Sequence, residues 1–322
     1  MMLSPLLRTL CFALASGGLL LMVLEGLIWR FTPRSVELTS TRSPRLTERW
    51  FLSATLSARI LPWLLACGAL VPAYLRGEDN TSAERVALPC IAVASLVLLW
   101  ISAAIFRSAI TSLRTQRYCS GCQSTGRTVA GRQVHVHHGS HSLLAVAGIF
   151  RSRLIVSEHL LEEHHVAAPA LEVALSHEAA HASHHDNLKL LLLSLLPRVG
   201  FSSARRSSLD DRWRLAAELA ADHESTAGDA HRSLLLADLL VVLARDRVAA
   251  PAVMVTLLSA PDHLRLRVEQ LLRATAPRTT GTASLARDSR LSILSLSAAL
   301  LALAGACALF GHSAAELLLH LG

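Results

Sequence analysis

The chain has 322 residues and a formal net charge of +7; 52% of its residues are hydrophobic and only 17% are charged. Soluble globular proteins carry about 25% charged residues, so this composition excludes an ordinary soluble domain and favours a membrane protein. The arginines lie beside apolar segments and are not interleaved with aromatic residues. We therefore attribute the positive charge to membrane topology and expect no direct nucleic-acid partner.

Four apolar segments are long enough to cross a bilayer, which takes about 20 residues. They comprise residues 9–29, 52–75, 86–106 and 291–310. We interpret the first as an uncleaved anchor, because its apolar run exceeds the roughly 7–15 residues of a signal-peptide core. The pattern predicts a membrane domain with three spans over residues 1–110, a polar domain over 111–290, and a last span with a short tail over 291–322.

The arginine content of the connecting segments predicts the orientation. Residues 30–50 and 107–132 carry five arginines each, whereas residues 76–85 mix both signs of charge. Arginine-rich loops stay cytoplasmic, so we expect the N-terminus outside, the polar domain in the cytosol and the lipid bilayer as a partner. Arg59 would then lie near the inner face, with its stem extended toward the interface.

A further apolar run covers residues 188–196 and is followed by Pro197. It is too short to span a bilayer, and proline ends a helix. Two interpretations stay open: a buried helix of the polar domain, or a helix that dips into the bilayer beside the active site.

The segment 171–187 carries the strongest chemical signal, with the sequence LEVALSHEAAHASHHDN. Its apolar spacing and alanines predict a helix. His177 and His181 are one turn apart on that helix and share a face, where two imidazoles can bind one zinc ion. Glu178 lies beside the first histidine, where it can act as general base on a zinc-bound water.

A catalytic zinc ion usually has a third protein ligand, and residues 213–224 offer candidates. Glu218 and Asp222 are four residues apart on a predicted helix, so they share one face. Glu218 can supply the third ligand oxygen, and Asp222 can hold a ligand histidine. The alternative is an ordinary exposed acidic pair beside neighbouring arginines. Asp186 can orient a ligand or cap the neighbouring chain.

Other histidines and cysteines are candidates for secondary roles. His184 and His185 lie off the face shared by the two candidate ligands, and His223 is an alternative group for polarising a substrate carbonyl. The segment HVHHGSH carries four histidines, which are His135, His137, His138 and His141. We interpret these as a solvated strand, and Cys119 with Cys122 as a free-thiol turn, although a second metal site remains an alternative for both.

Residues 143–147 and 153–157 are predicted to form two short strands around Gly148. An exposed edge of this hairpin could hold an extended peptide substrate by strand addition. A purely structural hairpin is the alternative.

The sequence HEAAHASHHDN followed by ELAAD resembles the gluzincin signature of membrane metallopeptidases, H-E-x-x-H and then E-x-x-x-D. It is most similar to the BlaR/MecR-type antirepressor peptidases, to which the HtpX and CAAX prenyl endopeptidases are related. Residues 145–161 resemble the strand-turn-strand that precedes their zinc helix, and residues 261–272 resemble their helix after the glutamate ligand. The resemblance covers most of residues 100–310.

The resemblance implies zinc as cofactor, with His177, His181 and Glu218 as ligands and Glu178 as the base. Asp222 would be the carboxylate that holds a ligand histidine. The expected fold is a mainly α membrane protein of about four transmembrane helices, with a cytosolic α+β zincin-like domain that carries a small hairpin or sheet. The expected location is the bacterial inner membrane.

The expected function is cleavage of a protein or peptide substrate at the cytosolic face, in signalling such as inactivation of a transcriptional repressor. BlaR/MecR proteins carry a C-terminal penicillin-sensing domain, and only twelve residues follow residue 310 here, so we expect no exterior sensor and no β-lactam receptor role. The alternatives are an HtpX-like quality-control protease of membrane proteins and a non-enzymatic zinc-binding scaffold or sensor.

Overall fold

A computed structural model describes residues 5–31, 44–77, 88–138, 144–149, 152–161, 167–197, 208–245, 255–256 and 261–275. The described residues are mostly helical and include one small mixed sheet.

Among the described residues, three helical segments are long and apolar enough to cross a membrane, by length and composition. The first is α1 (Pro5–Phe31), and the third is α4 (Leu88–Ser120). The second is α2 (Pro44–Leu65), which continues through a π-helical turn into α3 (Val71–Gly77). These helices confirm the first three predicted spans as candidates. The predicted span 291–310 lies outside the described residues.

Helix α4 is longer than the sequence predicted. It continues to Ser120, past the expected end of the span at residue 106 and through the expected domain boundary at residue 110. Residues 107–120 contain no glycine or proline and several good helix formers. Apolar content therefore predicted only where the membrane-spanning part can end. The helix itself continues to Ser120 and stops before Gly121.

The five-stranded sheet has the order β1-β2-β4-β3-β5. Its strands are β1 (Gln123–Val129), β2 (Arg132–His137), β3 (Leu144–Ala147), β4 (Arg153–Ser157) and β5 (Val255–Thr256). Strands β3 and β4 form the predicted antiparallel hairpin. The expectation of an open edge on this hairpin is wrong at Ala145 and Val146, because β3 pairs there with β5, while β4 pairs with β2 on its other side.

Six helices accompany the sheet in the part of the chain that the structure describes. They are α5 (Glu158–Leu161), α6 (Ala168–Ser183), α7 (Asp186–Leu195), α8 (Leu209–Thr226), α9 (Ala230–Arg245) and α10 (Pro261–Ala274). One apolar core joins the inner face of the sheet to α6 and α9, with Leu154, Leu175 and Leu236 fully buried inside it. This core holds α6 firmly against the sheet.

The turn between α6 and α7 reverses the chain within two residues. His185 adopts a left-handed conformation with φ 55°, which ends α6 and allows Asp186 to begin α7. Asn187 then donates hydrogen bonds from Nδ2 to the carbonyls of Val146 (3.1 Å) and Gly148 (2.9 Å). The turn is thereby attached to β3, and Asp186 lies beside the end of α6.

Helix α8 packs between α6 and the candidate span α2. Its first turn is capped by Ser208, whose Oγ accepts a hydrogen bond from the Asp211 amide at 3.1 Å. Small alanine side chains lie on both buried faces, which allows neighbouring helices to approach closely. On the α2 side, Trp213 is fully buried and packs with Phe51 and Leu193.

Arg59 of α2 is buried, with 1% of its surface exposed, so the expectation of a side chain extended toward the interface is wrong. Its guanidinium lies 2.8 Å from Asp210 Oδ1 and 3.7 Å from Glu25 Oε1. It also donates to the Leu193 carbonyl at 3.0 Å, near the end of α7, where helical carbonyls lack intrahelical partners. Arg59 therefore joins α1, α2, α7 and α8.

Helix α7 accounts for the apolar run at 188–196. It packs against α4, and the Ser108 and Ser194 hydroxyls lie 2.9 Å apart. Leu193 is buried, whereas Leu192 is 44% exposed. The run is thus a helix lying beside candidate spans, and neither earlier interpretation of its relation to the bilayer is excluded.

Candidate metal centre

Three buried ligand-type side chains converge where α6 meets α8. His177 Nε2 and His181 Nε2 are 3.1 Å apart. Glu218 Oε2 lies 3.4 Å from the first of these atoms and 3.8 Å from the second. These three residues form a group that could hold a metal ion, with the ligand atoms all within 4.8 Å of one another. The structure therefore brings together all three side chains that the sequence predicted as ligands.

The other ring nitrogen of each histidine faces a carboxylate. His181 Nδ1 bonds to Asp186 Oδ2 at 2.7 Å. His177 Nδ1 lies 3.0 Å from Asp222 Oδ1, although its N–H direction is poorly aligned with that oxygen. Because an ionised carboxylate only accepts hydrogen bonds, His181 donates from Nδ1 to Asp186, and Asp222 favours a proton on Nδ1 of His177. In the neutral form of each ring, Nε2 then turns a lone pair toward the cluster. This arrangement orients histidines for metal binding.

The convergence of two lone pairs and a carboxylate oxygen requires a positive charge. Burial opposes ionisation of His181, but Glu218 and Asp186 outweigh it and raise the pKa of His181 to about 10. A proton on His181 can therefore occupy the space between the two Nε2 atoms. A divalent cation is the other species that satisfies the same atoms.

Glu178 is 1% exposed, and neither of its carboxylate oxygens has a hydrogen-bond partner in the described part of the chain. Burial, reinforced by Glu218, raises the pKa of Glu178 to about 7, although the histidines and Arg267 act in the opposite direction. The side chain is a proton acceptor beside the cluster that is not committed to a structural bond.

Arg267 of α10 is a member of the site that the sequence analysis did not identify. It is fully buried, and it holds Asp222 through Nε (2.8 Å) and Nη2 (2.7 Å). Its Nη1 lies 2.8 Å from Glu218 Oε2. Burial opposes the ionisation of both carboxylates, but Arg267 outweighs it, so the pKa values of Glu218 and Asp222 are lowered.

Carboxylates outnumber the fixed cations of the site. Asp186, Glu218 and Asp222 have lowered pKa values, and Lys189, which pairs with Asp186, also pairs with Glu48 at 3.0 Å. Four carboxylates therefore face two cations, Arg267 and Lys189, which gives a net charge of −2 (−4 + 2) before His181 and Glu178 are counted. One proton on His181 brings the sum to −1. Its replacement by a divalent ion brings the sum to zero, which favours the ionised form of Glu178.

The remaining candidate histidines beside the motif lie away from the cluster. His184 bonds to Glu224 at 3.0 Å, and His185 and His223 are exposed. The prediction that His184 and His185 lie off the ligand face is confirmed.

The histidines in and just after β2 have different surroundings. His135 is 8% exposed, so its interpretation as a solvated strand residue is wrong. His137 stacks on Tyr118, with ring centroids 4.4 Å apart, and His138 pairs with Glu158 at 2.8 Å. His141 lies outside the described residues. Cys119, in the last turn of α4, and Cys122, just after this helix, are free thiols, as predicted.

Comparisons with known proteins do not assign this chain to a family. No protein-family model matches it, and no curated protein matches its sequence.

Proposed function

We propose that this chain is a membrane-embedded zinc metalloendopeptidase. The observation that carries the proposal is the convergence of His177, His181 and Glu218 beside the buried Glu178, whose carboxylate has no hydrogen-bond partner among the described residues. Two imidazoles and one carboxylate are the ligand set of one class of catalytic zinc site, and a fourth position is left for water or substrate.

The proposed chemistry divides between the ion and the protein. A zinc ion, when bound, supplies a Lewis acid and lowers the pKa of water. Glu178 accepts the proton from the attacking water at a carboxylate oxygen and returns it to the leaving amine. Asp186 and Asp222 keep the ligand imidazoles in the tautomer that leaves each Nε2 free. Arg267 pairs with both Glu218 and Asp222 and compensates the negative charges by which these two carboxylates repel each other.

The proposed substrate is a protein or peptide cut at the cytosolic face of the bacterial inner membrane, with the N-terminus of the chain outside. Three candidate spans support membrane embedding, and helices α7 and α8 of the site pack directly on them. Regulated proteolysis, such as inactivation of a repressor, is the preferred role, and quality control of membrane proteins is the alternative.

Glu178→Gln is the variant that tests this function. We expect the purified full-length variant in detergent to retain about one zinc ion per chain and to lose cleavage of itself and of unfolded protein substrates. The reason is that glutamine keeps the side-chain shape but cannot accept the proton. Zinc content by mass spectrometry and cleavage by gel are the measurements.

Two comparisons define the outcome. His177→Ala should lose both zinc and cleavage, whereas Glu172→Gln, at an exposed position of the same helix, should lose neither. Loss of zinc from Glu178→Gln would indicate a closed structural site in which Glu178 is a fourth ligand, which is the scaffold alternative. Normal cleavage by Glu178→Gln would exclude Glu178 as the base.

A further inference from the structure

Glu48 is a buried carboxylate on the candidate span α2, and side chains from two neighbouring helices donate hydrogen bonds to it. It is 1% exposed. Its Oε1 accepts hydrogen bonds from Trp213 Nε1 of α8 at 2.9 Å and from Lys189 Nζ of α7 at 3.0 Å. A carboxylate buried without such partners would be strongly destabilising, so these contacts define where α2 can lie.

Lys189 connects Glu48 to the candidate metal centre. Its Nζ also bonds to Asp186 Oδ1 at 2.7 Å, and the other oxygen, Oδ2, bonds to His181 Nδ1 at 2.7 Å. The ammonium therefore lies between two carboxylates, one on the candidate span and one that orients His181. Each link in this series is within hydrogen-bonding distance.

Lys189 shares its positive charge between Glu48 and Asp186, and this sharing affects His181. Asp186 orients His181 and increases its basicity to the extent that its own charge is not neutralised by another cation. Glu48 draws part of the ammonium charge away from Asp186 and fixes the lysine side chain in one rotamer. Without the charge on Glu48, Lys189 pairs fully with Asp186, which neutralises Asp186 and lowers the basicity that Asp186 gives to His181.

We propose that Glu48 is a positioning residue for His181, acting through Lys189 and Asp186, and that the candidate span α2 thereby sets the metal affinity of the site. The proposal rests on the metal centre of the proposed function, but it does not depend on which reaction that centre performs. It assigns to a membrane helix a role in the chemistry of the polar domain.

Glu48→Gln is the direct test, because glutamine keeps an oxygen for Trp213 and removes only the charge. The full-length protein is stripped of metal and titrated with Zn²⁺ against a chelating indicator, and with Co²⁺ to record its visible absorption bands. We expect Glu48→Gln to bind Zn²⁺ about 10-fold more weakly and to shift the cobalt bands, which report ligand geometry and do not respond to stability alone.

Lys189→Gln removes the ammonium at a partly exposed position, with 19% of its side chain accessible. We expect it to bind Zn²⁺ at least as tightly as the parent, because Asp186 then keeps its full charge toward His181. The double variant of Glu48→Gln with Lys189→Gln should match Lys189→Gln alone, because Glu48 acts only through the ammonium. An equal loss of affinity on adding Glu48→Gln to the parent and to Lys189→Gln would overturn the proposal, since it would show that Glu48 acts independently of Lys189.

Glu224→Gln is the matched control. Glu224 forms another contact between α2 and the polar domain, through Arg45 at 2.8 Å and His184 at 3.0 Å, without touching Asp186. Its metal affinity and cobalt bands should match the parent. An equal loss in Glu224→Gln, or unchanged values in Glu48→Gln, would refute the positioning role. Metal binding without cleavage would refute only the peptidase function, whereas a parent that binds no metal would refute both.

Discussion

Glu178 combines full burial with two carboxylate oxygens that have no partner among the described residues. Burial disfavours the ionised form and raises the pKa of this group to about 7. A group that is costly to ionise in the metal-free protein, and that becomes ionised when a cation arrives, suits the role of a base beside a metal ion.

We predict that Glu178→Gln gains stability over the metal-free parent as the pH rises from about 4.5 to about 7. Below the unfolded pKa of 4.5 the carboxyl is protonated in both states, and above pH 7 the parent must ionise a buried group. The difference in unfolding free energy should grow by about 3 kcal/mol, measured by denaturant unfolding in detergent. Glu172→Gln should show no such pH dependence. A constant difference between Glu178→Gln and the parent would contradict the burial of an ionising carboxyl.

Arg267→Met tests the buried cation that neutralises two carboxylates. In the metal-free protein we expect a loss of about 3–5 kcal/mol of stability, because Glu218 and Asp222 remain buried without their cation. Zn²⁺ should restore part of this loss by supplying positive charge to Glu218. The measurement is thermal unfolding with and without Zn²⁺.

Arg265→Met provides the comparison on the same helix. Arg265 is 81% exposed and pairs with Glu269 at 2.8 Å on the surface, where such pairs contribute little. It should change stability by less than about 1 kcal/mol. Equal effects from the two substitutions would show that Arg267 does not carry the charge balance of the site.

Spacing along single helices was enough to predict most of the site. His177, Glu178 and His181 follow from one helical turn, and Glu218 with Asp222 follow from another. Arg267 was not predicted, because nothing in a local spacing rule relates α10 to α8. A signal was present, since Arg267 lies on the same helical face as Leu264, Val268 and Leu271, which pack toward the core. A lone arginine on an apolar face needs a buried partner.

At the scale of elements, α8 is the connection between membrane and site. One of its faces presents Glu218 and Asp222 to α6, and the opposite face packs on α2 through Trp213. Its N-terminal turn is held by the pair of Asp210 and Arg59. The sequence predicted a helix with Glu218 and Asp222 on one face, but contact with a candidate span depends on tertiary packing and not on this spacing.

Arg59→Leu tests this connection. Removal of the guanidinium leaves Asp210 and Glu25 without their common cation, and we expect a loss of about 3–5 kcal/mol in denaturant unfolding. The triple variant Glu25→Gln, Arg59→Leu and Asp210→Asn should recover most of that loss, because the two carboxylate charges that faced Arg59 are then absent as well. If the triple variant were less stable than Arg59→Leu alone, the pairing would not be the source of the effect.

At the scale of the whole molecule, the candidate spans and the polar domain pack directly against each other in the described part of the chain. Arg59 and Glu48 of α2 both reach into the polar domain, so the candidate metal centre is tied to a candidate span by buried ion pairs. Composition predicted the spans, and hydrophobic spacing predicted the hairpin. The end of α4 and the pairing of β3 with β5 were not predicted, because neither depends on local apolar content.

The central claim is that α6 and α8 meet so that His177, His181 and Glu218 surround a single ion. The most direct measurement is a Zn²⁺ titration of the metal-stripped, full-length protein beside its Glu218→Gln variant. We predict one tight site in the parent and binding weaker by more than about 100-fold in Glu218→Gln, since loss of a ligand exceeds the 10–100-fold effect of groups behind the ligands. Equal affinity in the two proteins, or no tight site in the parent, would contradict the account.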